Sequence, residues 1–190
     1  MCGRYFLADR ERPKDIQEII DILNRTGHPV KTGDILPTDM APVIANGRDL
    51  MPRPFLMRWG YEVNGRPLIN ARVETAAEKP LFADGMRQRR CLVPVCHYYE
   101  WERRGQERIR YAIAPEGEAD FLMAGLYRIN GDRAEYTILT REAAPEIGFI
   151  HDRMPVLMPA ALKDAWLNPR NSAAEVLGEI RPMALRFGAM

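Results

Sequence analysis

Long apolar runs are absent from this 190-residue sequence. A membrane-spanning helix needs about 20 consecutive apolar residues, so none is expected, and no signal-peptide pattern opens the chain. Cysteine is scarce: Cys2, Cys91 and Cys96 are the only three. An odd number makes no disulfide framework and fits a reducing, cytoplasmic setting. His97 follows the Cys91-x4-Cys96 spacing, but no second Cys/His pair completes a zinc site. Both cysteines are therefore read as buried structural thiols, and no metal or organic cofactor is expected. An excess of one charge is missing as well. The 27 Lys+Arg against 26 Asp+Glu leave a net +1, too little to announce a nucleic-acid binder by bulk field. A Gly-rich phosphate loop, an internal repeat and a low-complexity linker are likewise missing, which removes P-loop and dinucleotide-binding classes and solenoids.

What remains is a 46% hydrophobic, 28% charged chain, ordinary for one globular domain spanning residues 1–190. Residues 2–7 read as a strand. Residues 13–25 read as a helix, with Pro13 in its first turn, Ile16, Ile19, Ile20 and Leu23 on one face, and Gly27 as its stop. His28 falls in the loop beyond. Residues 36–45 are extended, Asn46-Gly47 and Asn64-Gly65 are hairpin turns, and Phe55 to Trp59 is a strand. Residues 67–72 form a strand end passing into a loop, followed by helical patterns at 74–79 and 81–88. Strand-like runs then cover 90–95, 97–102, 108–114, 121–129 and 134–140. A short helix at 144–150, a strand at 153–158 and two helices at 159–167 and 172–180 complete the chain. Many strands joined by short turns predict an α+β fold, with a largely antiparallel, curved, barrel-like sheet flanked by helices.

Four segments carry polar groups inside or beside apolar runs: Cys2-Gly3-Arg4-Tyr5, Asn70-Ala71-Arg72-Val73-Glu74, Tyr98-Tyr99-Glu100-Trp101 and His151-Asp152-Arg153-Met154-Pro155. Initiator methionine is normally trimmed before a small residue, so the mature chain is expected to begin at Cys2. A terminal cysteine is a 1,2-aminothiol. Its amine (pKa about 8) and thiol (about 8.5) are both partly nucleophilic at neutral pH. The amine condenses with an aldehyde and the thiol then closes a thiazolidine ring. Glu100 beside aromatics is a candidate general acid through a raised pKa, and His151 a proton shuttle. Strand alternation points Asn70 and Arg72 the same way, an amide to hold an amine and a fork matched to phosphate. Arg4 and Arg153 are further phosphate candidates. Trp59 is either core or a stacking platform for an unpaired base. Arg87, Arg89, Arg90, Arg103, Arg104, Arg108 and Arg110 crowd one stretch, either a solvated face or a phosphate-contacting surface.

Together these segments resemble the SRAP (SOS response-associated peptidase) family of abasic-site processing proteins. The matching blocks, in family order, begin with Met1-Cys2-Gly3-Arg4-Tyr5, Trp59-Gly60 and Ile69-Asn70-Ala71-Arg72 with Glu74 and Glu78-Lys79-Pro80. Arg89 to Pro94 with Tyr98-Tyr99-Glu100-Trp101, Gly125-Leu126, Thr137-Ile138-Leu139-Thr140 and His151 to Val156 follow. The resemblance implies a catalytic Cys2 with partners Asn70, Glu100 and His151, phosphate contacts from Arg4, Arg72 and Arg153, and Thr140 near the site. It also implies the cross-linking of abasic sites in single-stranded DNA, in a DNA damage response, by a nucleoid-associated protein expected to act as a monomer. Three places depart from the family pattern: a short hairpin, Tyr61-Glu62-Val63-Asn64-Gly65, replaces a proline- and tryptophan-containing loop; Pro37-Thr38-Asp39 stands for Pro-x-Gln; and His97 replaces a small residue. Two rival readings stay open, a cysteine peptidase using its own amine as base and a non-catalytic single-strand-binding module.

Overall fold

A computed structural model describes residues 2–8, 14–25, 27 and 29–190; Met1, Pro13 and His28 lie outside the described residues. The strands are β1 (Tyr5–Leu7), β2 (Gly33–Ile35), β3 (Met40–Asn46), β4 (Pro52–Trp59), β5 (Tyr61–Val63), β6 (Arg66–Leu68), β7 (Asn70–Arg72) and β8 (Arg90–Val95). They continue with β9 (His97–Arg104), β10 (Glu107–Pro115), β11 (Phe121–Asn130), β12 (Arg133–Glu142), β13 (Arg153–Pro155), β14 (Leu157–Met158) and β15 (Leu185–Ala189). The helices are α1 (Lys14–Asn24), α2 (Val73–Ala76), α3 (Pro80–Gln88), α4 (Lys163–Leu167) and α5 (Ala173–Glu179), and a 3₁₀ turn covers Pro145–Ile147. None of these helices is long and apolar enough to cross a membrane. The α+β expectation holds.

The larger sheet runs β13-β12-β4-β3-β8-β11-β14, and β12 also pairs with β11. That second pairing closes β12, β4, β3, β8 and β11 into a five-stranded barrel. Closure depends on a parallel contact, Glu135 with Arg58 and Tyr136 with Trp59. Gly60 follows at φ +107°, and a Cβ there would stand 2.7 Å from Pro67, so only glycine fits as the chain leaves the barrel. The smaller sheet has the order β15-β10-β9-β1-β2.

Period-two alternation divides β8 between two cores. Cys91, Val93 and Val95 join the barrel interior with Met57, Trp59, Tyr136 and Ile138. Leu92 faces the other way, into a cluster with Leu126, Leu139, Phe82 and Trp166 under the helices. Cys91 and Cys96 are buried free thiols, and His97 stacks on Phe6 at 4.8 Å. In α1, Ile16, Ile20 and Leu23 are buried as their spacing predicts. Asn64-Gly65 forms a two-residue hairpin with both φ angles positive, 50° and 74°. Asn46-Gly47 does not: Asn46 pairs with Pro52, so residues 47–51 form a longer loop, with Leu50 at φ +61°.

Candidate active site

Cys2 is carried to the site by β1, which lies between β2 and β9. The antiparallel register pairs Tyr5 with Tyr98 and Phe6 with His97, and the Tyr99 amide donates to the Arg4 carbonyl at 2.9 Å. Continued toward the chain start, this register sets Gly3 opposite Glu100. A second element reaches the same place from the barrel wall. β7 runs parallel to β12, with Asn70 beside Ile138 and Arg72 beside Thr140, and the Asn70 amide Nδ2 donates to the Cys2 carbonyl at 2.9 Å. On β12 the same Thr140 also pairs with Pro155 of β13. Two sequence-remote segments, 70–72 and 151–155, are thereby gathered at one strand end.

The electrostatics follow from burial. Glu100 is 3% exposed, and loss of hydration raises its pKa above the usual carboxylate range, with the nearby Asp152 carboxylate adding to the rise. Asp152 thus places the His151 segment within electrostatic reach of Glu100. Burial lowers the pKa of His151, against the opposing pull of Asp152, and so favours the neutral ring. Its Nδ1 lies 3.0 Å from the Arg153 amide and 2.7 Å from the Asp152 carboxylate. An amide N–H requires a lone pair and a carboxylate requires a proton, so Nδ1 serves one neighbour at a time. Cys2 corrects one expectation. Its side chain is fully buried, and burial, helped by Glu100, pushes the thiol well above its ordinary pKa. The thiol, whose Sγ lies 3.7 Å from the Arg4 carbonyl, is therefore held protonated rather than partly ionised.

Trp59 corrects another. It is 0% exposed, its indole N–H donates to the Ile69 carbonyl at 3.1 Å, and Tyr5 and Tyr136 pack against it. No face is left for a base, so Trp59 is barrel core. The tryptophan that reaches the surface near Arg4 is Trp101, half-buried, with the Arg4 guanidinium 5.6 Å from its ring centre. Strand alternation puts it on the face of β9 opposite Glu100, but the choice between Trp59 and Trp101 is invisible locally. Arg4 also meets Asp34 at 3.3 Å. Arg72 is exposed. Arg153 grips Glu74 through two bonds of 2.7 and 2.8 Å and donates to the Thr140 carbonyl at 2.7 Å. Its charge is thus already matched, and with buried Thr140 it braces the site wall. Tyr98 was also missed: it is fully buried within electrostatic reach of Glu100, with its hydroxyl unpartnered among the described residues. No group of three His, Cys, Asp or Glu able to hold a metal occurs among the described residues.

The fold recurs in known proteins. The model of the family described as SOS response associated peptidase (SRAP) matches residues 1–187. Among named relatives, the abasic site processing protein YobE of Bacillus subtilis is 36% identical, over 93% of this chain and 86% of its own length. YoaM of the same organism, also named an abasic site processing protein, is 32% identical over 93% of this chain and 83% of its length. A crystal structure of a Bordetella bronchiseptica protein superposes with a TM-score of 0.79, covering 100% of this chain and 99% of that one at 21% identity. With the family match spanning nearly every residue and the fold reproduced from end to end, the chain belongs to the SRAP family.

Proposed function

We propose that this chain processes abasic sites in single-stranded DNA, joining Cys2 covalently to the ring-opened sugar once Met1 has been removed. The observation that carries the reading is the bond from Asn70 to the Cys2 carbonyl. A side chain 68 residues away grips the backbone of the second residue, which is the means to fix an amine and a thiol on adjacent carbons. The names of the relatives support the substrate class.

In this mechanism the neutral His151 assists opening of the closed sugar to its C1′ aldehyde. The Cys2 amine adds to C1′, and protonated Glu100 gives its proton to the departing hydroxyl, which leaves as water. The product is a protonated Schiff base facing an ionised Glu100. That carboxylate takes the proton of the Cys2 thiol, the sulfur bonds C1′, and the thiazolidine closes with Glu100 protonated again. Burial suits both partners: it raises the pKa of the carboxyl, which favours its acid form, and leaves the thiol un-ionised until the Schiff base forms. The Asn70 oxygen Oδ1 is buried and unpartnered among the described residues, and is placed to accept from the amine or a sugar hydroxyl. β-Elimination from the Schiff base accounts for a lyase side activity. A peptidase reading is weakened by the same burial, since a resting nucleophile for amide hydrolysis needs thiolate character. A purely binding role leaves the Asn70 grip on Cys2 unexplained.

The test is intact-mass measurement of purified protein after incubation with a single-stranded oligonucleotide holding one abasic site. The expected product weighs the Met1-free chain plus the oligonucleotide less one water, and Cys2→Ala gives none. Absence of the adduct from wild-type protein already shown to lack Met1 would refute the proposal.

A further inference from the structure

The seven arginines that crowd residues 87–110 separate into two groups in space. Arg90 is 3% exposed and donates to the carbonyls of Met86, Asn168 and Asn171. Arg87 and Arg89 pair with Asp84. Arg104 pairs with Glu102, which also accepts from the Tyr111 hydroxyl. These four are accounted for by the fold.

The other three share one face of the β9–β10 hairpin. Cross-strand partners point the same way and neighbours along a strand alternate. Arg103 pairs with Arg108, Trp101 with Arg110, and Tyr99 with Ala112, so the hairpin's own residues give this face three arginines, two aromatics and no carboxylate; at its far end Asp34 of β2 accepts from the Tyr99 hydroxyl at 3.1 Å and pairs with Arg4. Like charges directly opposite each other are destabilising in a sheet. Arg103 and Arg108 are nonetheless so placed, both exposed, and neither has an acidic partner among the described residues. Arg110 lies over the Tyr99 ring at 5.2 Å and Arg4 over Trp101 at 5.6 Å. From Arg4, which bonds to Tyr99 of β9, the row of cations extends four residues along the strand to Arg103. At about 3.4 Å per residue this is a track of about 14 Å, running from Arg4, two residues from Cys2, to the hairpin tip on the face of β9 opposite Glu100.

We propose that this face is a phosphate track that holds the DNA strand on one side of the abasic nucleotide, with Arg103 and Arg108 each neutralising a phosphate and Trp101 stacking a base. Alternating cations and aromatics suit a single strand, whose backbone and bases are presented together. Binding relieves the Arg103–Arg108 repulsion, which the free protein carries without compensation. The inference rests on single-stranded DNA as the substrate, but not on the covalent chemistry.

The test compares wild type with the double variant Arg103→Gln/Arg108→Gln, using undamaged single strands of about 20 nucleotides, longer than the ~4–16 nucleotides such sites usually cover. Two lost phosphate contacts should flatten the slope of log affinity against log salt by about 1.4, at about 0.7 per phosphate for single strands. Arg103→Lys/Arg108→Lys should keep the slope, since lysine preserves the charge. Adduct formation with an abasic trinucleotide, too short to reach the hairpin, should be unchanged in both. An unchanged slope in the glutamine variant overturns the track. So does an equal loss in the control Arg48→Gln/Arg66→Gln, two exposed arginines elsewhere, because that result signals bulk charge alone. If no protein forms an adduct yet the slope still flattens only in the hairpin variant, the covalent reading fails and the track stands.

Discussion

Replacing Trp59 by alanine should cost this protein its stability, not its affinity for DNA. The indole is 0% exposed, and a buried tryptophan removes about 150–250 Å² from water. At about 25 cal/mol per Å² that is about 4–6 kcal/mol, in line with the ~3–5 kcal/mol typical of large-to-alanine changes in cores. The lost indole N–H adds little, because the Ile69 carbonyl it bonds also accepts from the Ile138 amide at 3.0 Å. The position is unforgiving in another respect: Trp59 pairs with Tyr136 at the parallel contact that closes the barrel, so the cavity opens at the seam. For a chain of this size about 1 kcal/mol moves Tm by roughly 2–4 °C, which puts the expected drop at about 6–20 °C. Thermal denaturation followed by circular dichroism reads the shift, and fluorescence anisotropy with a labelled single strand, measured well below Tm, reads the affinity. A Trp59→Ala protein that melts within about 3 °C of wild type but binds DNA about tenfold more weakly would refute the burial argument.

Trp101→Ala should behave in the opposite way, with Tm nearly unchanged and affinity for single strands reduced about 5- to 150-fold, the loss of one stacked base at about 1–3 kcal/mol. Glu100→Gln should slow adduct formation by about 10²–10⁴-fold and remove the pH dependence belonging to its carboxyl. Burial raises the folded pKa of Glu100, so in wild type the acid form, and any stability tied to it, is lost as pH rises through that value. The Tm of Glu100→Gln relative to wild type should therefore climb with pH, and a gap that stays flat between acid and alkaline buffers counts against the raised pKa. The hydroxyls of Tyr5 and Tyr136 meet at 2.8 Å in the core. Either single phenylalanine variant strands the other hydroxyl, at about 1–3 kcal/mol and a Tm drop of about 2–12 °C, and the double variant should lose less than the sum of the two in a melting series.

Strands with a clean alternation or a tight turn at their ends were legible from residues alone: β8 through β12 fall within two residues of their expected limits. β15 was not. Leu185–Ala189 contains Arg186 and Gly188 and is largely exposed, so an edge strand defined only by its pairing to β10 leaves no periodic trace. The parallel closure of β4 on β12 was equally silent, because side-chain alternation says which faces are apolar and not which strand lies alongside. The same gap explains the tryptophans: a strand-end indole before glycine reads alike whether it points into the barrel or away. Glu135 escaped notice for a related reason. It is fully buried, held by Arg128 at 2.9 Å and the Glu62 amide at 3.1 Å, yet in the sequence it is one charged residue among charged neighbours. In the candidate site, Glu100 stood out through its aromatic surroundings. The link from Asn70 to Cys2 depended on likeness to a family, since no local pattern connects residues 68 apart.

The parallel seam between Trp59 and Tyr136 also sets an order of events during synthesis. Asn70 has its place only against Ile138, and the barrel wall that presents it stays open until β12 is made. A growing chain therefore exposes Cys2 long before Asn70 can hold it. Non-local pairings of this kind form late and slowly. In that interval Cys2 lacks the Asn70 bond and the burial beside Glu100 that the finished fold supplies. Assembly of the last barrel strand thus completes the surroundings of Cys2, and the chemistry proposed there waits on it.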